Sequence, residues 1–144
     1  MRRAFHYAKQ NNTRAIMILI QANPRFEETW PMRRRRVFGI APPPKKPSGS
    51  TEFLKALQHE VLDYDKPIAL VHGDTHYFRV DKPIILDDQS GGRRGRVVEH
   101  FTRVELFGYP EAHWVHATID PADPNVFSFS PQMVKDNFGG GRVK

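Results

Sequence analysis

The residues best suited to chemistry lie in one short stretch, Val71-His72-Gly73-Asp74-Thr75-His76-Tyr77-Phe78. His72, Asp74 and His76 occupy alternate positions directly after the apolar run Ile68-Ala69-Leu70-Val71, and Gly73 allows a sharp turn among them. Neutral imidazole and carboxylate are good ligands for Zn²⁺, Mn²⁺ and Fe, and a turn lets neighbouring residues converge on one ion. The same residues also suit a polar turn, in which one histidine packs and hydrogen-bonds locally while Asp74 caps the chain reversal. Three candidate ligands are too few for a pair of metal ions. A second polar end, Gln21-Ala22-Asn23-Pro24, follows the apolar run Ala15-Ile16-Met17-Ile18-Leu19-Ile20. It adds Gln21 as a further candidate ligand and Asn23 as a candidate contact to substrate.

Other polar and aromatic residues have plainer uses. Tyr77 and Phe78 are able to stack on a base or an aromatic leaving group, but apolar residues after a turn usually resume a strand and enter the core. His113 and His116 flank Trp114-Val115 in an alternating segment and so point to opposite faces, which prevents both from binding one metal without a bulge. His6, His59 and His100 sit in surface-like contexts, and Glu27 and Glu28 read as solvated carboxylates. Arg33 to Arg36 and the group Arg93, Arg94, Arg96 carry much of the formal net charge of +6. Such patches fit solvated loops first and polyanions second, including nucleic acid.

Composition narrows the classes of protein. A chain of 144 residues suits one domain spanning 1–144 with a sizeable core. The absence of cysteine excludes disulfides and thiolate metal sites, so any metal is held by nitrogen and oxygen ligands. No apolar run approaches the roughly 20 residues of a membrane-spanning helix. Met1-Arg2-Arg3 is followed by polar, helix-like sequence rather than the apolar core of a signal peptide, which gives an expectation of a cytoplasmic chain.

The elements that must position these residues follow from hydrophobic spacing. Met1, Ala4, Phe5 and Ala8 share one helical face, with Asn11 and Asn12 as the stop. The uninterrupted run Ala15 to Ile20 suits a strand buried on both faces. Residues 31–50, rich in arginine and proline, read as an exposed loop. Ser50 or Thr51 caps a second helix burying Phe53, Leu54, Leu57, Val61 and Leu62, and Pro67 opens the strand into His72. Residues 87–96 read as a basic loop. Phe101 to Phe107, Trp114 to Ile119 and Val126 to Phe129 alternate like half-buried antiparallel strands, with Asp120 to Asn125 as a turn, and residues 139–144 as a frayed tail. The fold class is α/β, two βα-type units followed by an antiparallel strand meander. In such a sheet a right-handed crossover places both polar strand ends on the carboxyl edge, bringing Gln21 and Asn23 near the His/Asp corner. The first helix reads equally as an N-terminal decoration or as a crossover helix whose feeding strand is absent, and in the second case the uncovered sheet edge invites a partner or dimerisation.

Taken together, AIMILIQANPRFE, KPIALVHGDTHYFRVDKPI and FTRVELFGYPEAHWVHATIDPADPNVFSF resemble the C-terminal half of a bacterial calcineurin-like metallophosphoesterase. The likeness covers nearly the whole chain apart from its basic loops, and its most specific part is Gly73-Asp74-Thr75-His76, similar to the family's closing Gly-His-x-His motif. The resemblance implies a β-sandwich flanked by helices and a dinuclear centre of divalent ions (Mn, Fe, Zn or Mg) that clamps a phosphate mono- or diester for hydrolysis. It also implies roles: His76 matches the final histidine, a ligand of one metal. Asp74 matches the penultimate histidine, which binds the other metal, and Gln21 lies where an upstream strand-end histidine would serve that same metal. His72, one residue ahead of the motif, offers a substitute ligand. Two imidazoles are thus exchanged for oxygen-bearing side chains, a change that favours harder ions such as Mg²⁺ or Mn²⁺. The family's earlier motifs, Asp-x-His, Gly-Asp with a distal Asp, and Gly-Asn-His, do not occur ahead of Gln21. The expectation is therefore a phosphoric ester hydrolase exercised by a longer parent protein, with weak binding of a single metal and poor activity in this chain alone. A basic binding module that grips polyanions through its arginine loops is the alternative, and a structural half-domain that pairs with another chain is a third.

Overall fold

A computed structural model describes residues 1–29, 49–86, 95–110 and 112–137. The architecture is mixed α/β. Its centre is a sheet of four strands: β1 (Ile16–Leu19), β2 (Ile68–His72), β6 (Phe101–Glu105) and β3 (Arg79–Asp81), in the spatial order β1-β2-β6-β3. The first three run parallel, and β3 returns antiparallel along β6. Two ribbons complete the strands, β4 (Ile85–Leu86) with β5 (Arg96–Val97), and β7 (Trp114–Ile119) with β8 (Phe127–Gln132).

Strand alternation sends Ile16, Ile18 and Ile20 to the same side of the sheet as Ile68, Leu70 and Phe101. Against them lie Phe5 and Ala8 of helix α1 (Arg2–Gln10), Phe26 of the short helix α2 (Phe26–Thr29), and Leu54, Leu57, Val61 and Tyr64 of helix α3 (Thr51–Tyr64). The two longer helices are also pinned together by polar contacts. Lys9 of α1 reaches Asp63 and Glu60 of α3, and the Tyr64 hydroxyl donates to the carbonyl of Thr13 at 2.8 Å. On α3 the expected face is shifted. Leu62 is 41% exposed, whereas Glu60 and Tyr64 are buried, because the docking stripe runs through Leu54, Leu57, Val61 and Tyr64. Ser50 occupies the N-cap position, though its side chain does not cap the helix, and the helix ends on Asp65 in the left-handed region.

Two sequence expectations need correction. The run from Ala15 to Ile20 was expected to be buried on both faces, yet β1 is the outer strand of the sheet and Leu19 is 72% exposed. Apolar runs of this kind look alike in sequence, and only pairing decides which becomes central; that place falls to β2, buried at every residue. The second correction concerns Phe101 to Phe107. These residues do not start a half-buried meander. β6 inserts between β2 and β3, and Phe101, Arg103, Val104 and Glu105 are all buried. The β7–β8 hairpin is antiparallel as expected, and its turn is built by Asp120 and Asp123, whose carboxylates accept from the backbone N–H of Ala122 and Asn125. The tip of that hairpin reaches the amino end of the sheet, where Arg14 donates to the Pro121 carbonyl. The basic loop from 31, most of the loop 87–96 and the tail from 139 lie outside the described residues. No helix among the described residues is long and apolar enough to cross a membrane.

Candidate functional site

β1 and β2 end side by side. The backbone N–H of Gly73 donates to the carbonyl of Gln21 at 3.1 Å, and Leu106 N–H donates to the carbonyl of His72 at 2.9 Å, extending the ladder past the last residue of each strand. The expected juxtaposition of the two polar strand ends is therefore present. It comes through backbone at Gln21, while the N–H of Asn23 lies 3.5 Å from the Asp74 carboxylate, a long contact. The chain then turns through Asp74 and His76, both at positive φ (87° and 63°). Asp and His tolerate the left-handed region better than most side chains, and two such residues within three positions hold both side chains off the line of the strand.

The two histidines of the corner live in different environments. His76 is exposed, and its Nδ1 lies 2.6 Å from the carbonyl oxygen of Tyr109. A carbonyl only accepts, so in the neutral ring Nδ1 carries the hydrogen and Nε2 the lone pair. This is the arrangement by which a backbone carbonyl fixes the tautomer of a metal-ligating histidine. The ring is seated against Gly108, where an added Cβ would collide with the imidazole and come within 2.8 Å of Nε2. His72 is fully buried at the end of β2. Its Nδ1 is paired with the carbonyl of Gly73 at 2.9 Å, and its Nε2 has no hydrogen-bond partner. Asp74 is exposed at the corner with His76, and Gln21 is exposed at the end of β1. Among the described residues no group of three or more His, Asp or Glu gathers in a way that could hold a metal ion.

The corner is braced from beneath by ion pairs that sequence reading passed over. Glu105 is fully buried; one carboxylate oxygen accepts from the Thr75 hydroxyl, and the other accepts from Arg79 Nε at 3.1 Å and Nη2 at 2.5 Å. Two residues along the ladder, Arg103 is 1% exposed and donates through Nε and Nη2 to Asp81 at 2.8 and 2.5 Å. Glu27 of α2 closes the cluster, its Oε1 lying 2.7 Å from Arg103 Nη1 and 2.9 Å from Arg79 Nη1. Glu27, expected to be solvated, is thus an anchor for two arginines. Every charge in the cluster faces an opposite charge, which is the condition for burying ions at all. Burial would raise the Glu27 carboxyl, but the hydrogen bond from Arg103 and the charges of Arg103 and Arg79 outweigh it and hold the group below its ordinary value. Burial likewise works against the Arg103 cation, and Asp81 and Glu27 reverse this, raising its pKa. A signal for the cluster existed in the sequence. Arg79-Val80-Asp81 and Arg103-Val104-Glu105 are near-copies whose antiparallel pairing sets each arginine opposite an acid.

Two of the remaining histidines, His100 and His113, are engaged locally. His113 accepts from Val134 N–H at 3.1 Å and meets the Phe107 ring edge-on, and His100 Nε2 lies 3.0 Å from the Val61 carbonyl. Tyr77 departs from expectation, being 68% exposed rather than in the core, while Phe78 is half-buried and stacked on Phe107. Arg96 is exposed on β5, and Arg33 to Arg36, Arg93 and Arg94 lie outside the described residues. Compared with known proteins, the chain matches no family model, no curated protein and no solved structure.

Two outcomes follow from this geometry. Gly108→Ala should push the His76 ring off the Tyr109 carbonyl at a cost of about 1–3 kcal/mol in stability; unchanged His76 imidazole resonances in the variant would contradict the seat described. Because the folded Glu27 carboxyl titrates below its unfolded value of about 4.3, its contribution is complete above that pH and is lost as pH falls through the folded value. Glu27→Gln should flatten the acid limb of an unfolding-midpoint profile below about pH 5, and a limb as steep as the parent's would count against the ion pairing.

Proposed function

We propose that this chain carries part of a calcineurin-like phosphoesterase site, in which the corner after β2 supplies one metal position for hydrolysis of a phosphate mono- or diester by a longer parent protein. The observation that carries this reading is the hydrogen bond from His76 Nδ1 to the Tyr109 carbonyl, which leaves Nε2 as a free, oriented lone pair on the carboxyl edge of a parallel sheet. Ligand sites of open α/β sheets collect at that edge.

In this reading His76 is the imidazole ligand and Asp74 the anionic one, with Gln21 and buried His72 as reserve donors from the two strand ends and Asn23 toward substrate. A divalent ion bound there would supply charge stabilisation to a phosphoryl oxygen. The chain's own contribution is positional. Tyr109 fixes the tautomer, Gly108 leaves room for the ring where a Cβ would collide with it, and Glu105 holds the turn through Thr75. The oxygen donors Asp74 and Gln21 shift the preference toward harder ions such as Mn²⁺ or Mg²⁺. The Asp-x-His and Gly-Asn-His elements absent ahead of Gln21 would be contributed by residues outside these 144. Activity of this chain by itself is accordingly low.

Calorimetric titration with Mn²⁺ should give saturable binding that His76→Ala abolishes. Thr75→Val, which removes the hydroxyl held by Glu105, should weaken it by about 10- to 100-fold, the usual effect of a lost supporting contact. Equal affinity in the parent and His76→Ala would sink the reading.

A further inference from the structure

We propose that the surface around His76 is an aromatic platform that selects phosphate esters with a flat, π-bearing leaving group, either an aryl alcohol or a nucleoside. The inference rests on the phosphoesterase reading for the anionic half of the ligand, while the observations behind the aromatic half are separate. Tyr77 directly follows His76 in the chain and is 68% exposed. Tyr109, whose carbonyl receives the His76 hydrogen bond, is 84% exposed. Neither ring has a hydrogen-bonding or aromatic partner for its side chain among the described residues. Exposing rings of this size forfeits hydrophobic stabilisation that burial would supply. Of the exposed large aromatics described, Trp114 also begins its strand at this edge, next to His113, and only Tyr7 lies elsewhere.

The rings stand on a fixed base. Phe78 stacks on Phe107 with centroids 4.8 Å apart and planes inclined by 15°, and His113 packs edge-on against Phe107 at 5.2 Å. Tyr77 is bonded in sequence to one member of the stack, and Gly108 alone separates Tyr109 from the other. The backbone positions of both tyrosines are therefore set by a packed aromatic layer, Tyr77 next to His76 in the chain and Tyr109 through the carbonyl that His76 bonds. Tyrosine side chains lose little rotamer freedom on binding, and their faces gain from offset stacking against another π system. Base-on-aromatic stacking also tolerates differences among the ring systems it accepts, which suits a platform rather than an enclosed pocket.

The test measures binding rather than turnover, using the whole chain with and without saturating Mn²⁺. Phenylphosphonate is compared with methylphosphonate by calorimetry, and adenosine 5′-phosphate with ribose 5-phosphate. The aromatic member of each pair that matches the natural leaving group should bind about tenfold more tightly than its non-aromatic counterpart. A preference confined to phenylphosphonate identifies aryl esters, and one seen with adenosine 5′-phosphate identifies nucleotides. Tyr77→Leu and Tyr109→Leu, each checked for an unchanged unfolding midpoint, should each remove most of the preference, and Tyr77→Leu should leave Mn²⁺ affinity intact. Equal affinities within both pairs, no binding of any of the four, or a preference that survives both substitutions overturns the inference. Loss of the metal reading registers separately, as an absent Mn²⁺ isotherm: an aromatic preference without it preserves the platform, and Mn²⁺ binding without a preference removes the platform alone.

Discussion

Two charges buried in the middle of a sheet, Arg103 and Glu105 on β6, constrain much of what surrounds them. An isolated ion at either position would cost several kcal/mol in desolvation, so each must be met by an opposite charge with good geometry. Arg103 is met by Asp81 and Glu27, and Glu105 by Arg79 and the Thr75 hydroxyl. Satisfying both fixes the register of β3, draws α2 onto the sheet and ties down the turn that carries Asp74 and His76. The Arg103 guanidinium also lies over the Phe26 ring at 5.2 Å, joining the ionic cluster to the hydrophobic core. The cluster supports the candidate site through Thr75 without competing with it for ligands, since its carboxylates are already committed to arginines.

That division of labour explains the contrast between His72 and His76. Both histidines commit Nδ1 to a backbone carbonyl, and both leave Nε2 with a lone pair. Burial separates them. The Nε2 of His72 is buried without a partner on a residue whose register partner is Glu105, whereas His76 is an exposed residue, next to exposed Tyr77 in the chain and bonded to the carbonyl of exposed Tyr109. The left-handed backbone at Asp74 and His76 and the close seat on Gly108 are the local distortions that put it there. Such distortions are held in place only when the surroundings over-determine them, and the Thr75–Glu105 bond and the Phe78–Phe107 stack do so from either side.

How much of this was legible in the sequence depended on the range of the interaction. Periodicity located α1, α3, β1 and β2, because apolar spacing within a single segment carries that information. The turn at Asp120–Asn125 was legible for the same reason, since its carboxylates bond only two residues onward. β6 was misread because alternation of apolar and polar residues normally means one wet face, and here the polar residues Arg103 and Glu105 are buried against a strand more than twenty residues away in sequence. The edge position of β1 was equally hidden, because its composition matches that of a central strand. At the site, the corner and its neighbour strand were found from residue types alone. The roles of Gly108, Tyr109 and Glu105 were not, since none of the three lies near His76 in sequence.

The central claim is that His76 is held with Nδ1 protonated and Nε2 presented as a free ligand. Long-range ¹H–¹⁵N correlation of the imidazole nitrogens at neutral pH, before and after addition of Zn²⁺ as a diamagnetic probe, measures this directly. The structure predicts the Nδ1–H tautomer for His76 and a Zn²⁺-induced shift centred on its Nε2. A dominant Nε2–H tautomer, or shifts confined to other histidines while His76 stays unmoved, would contradict it.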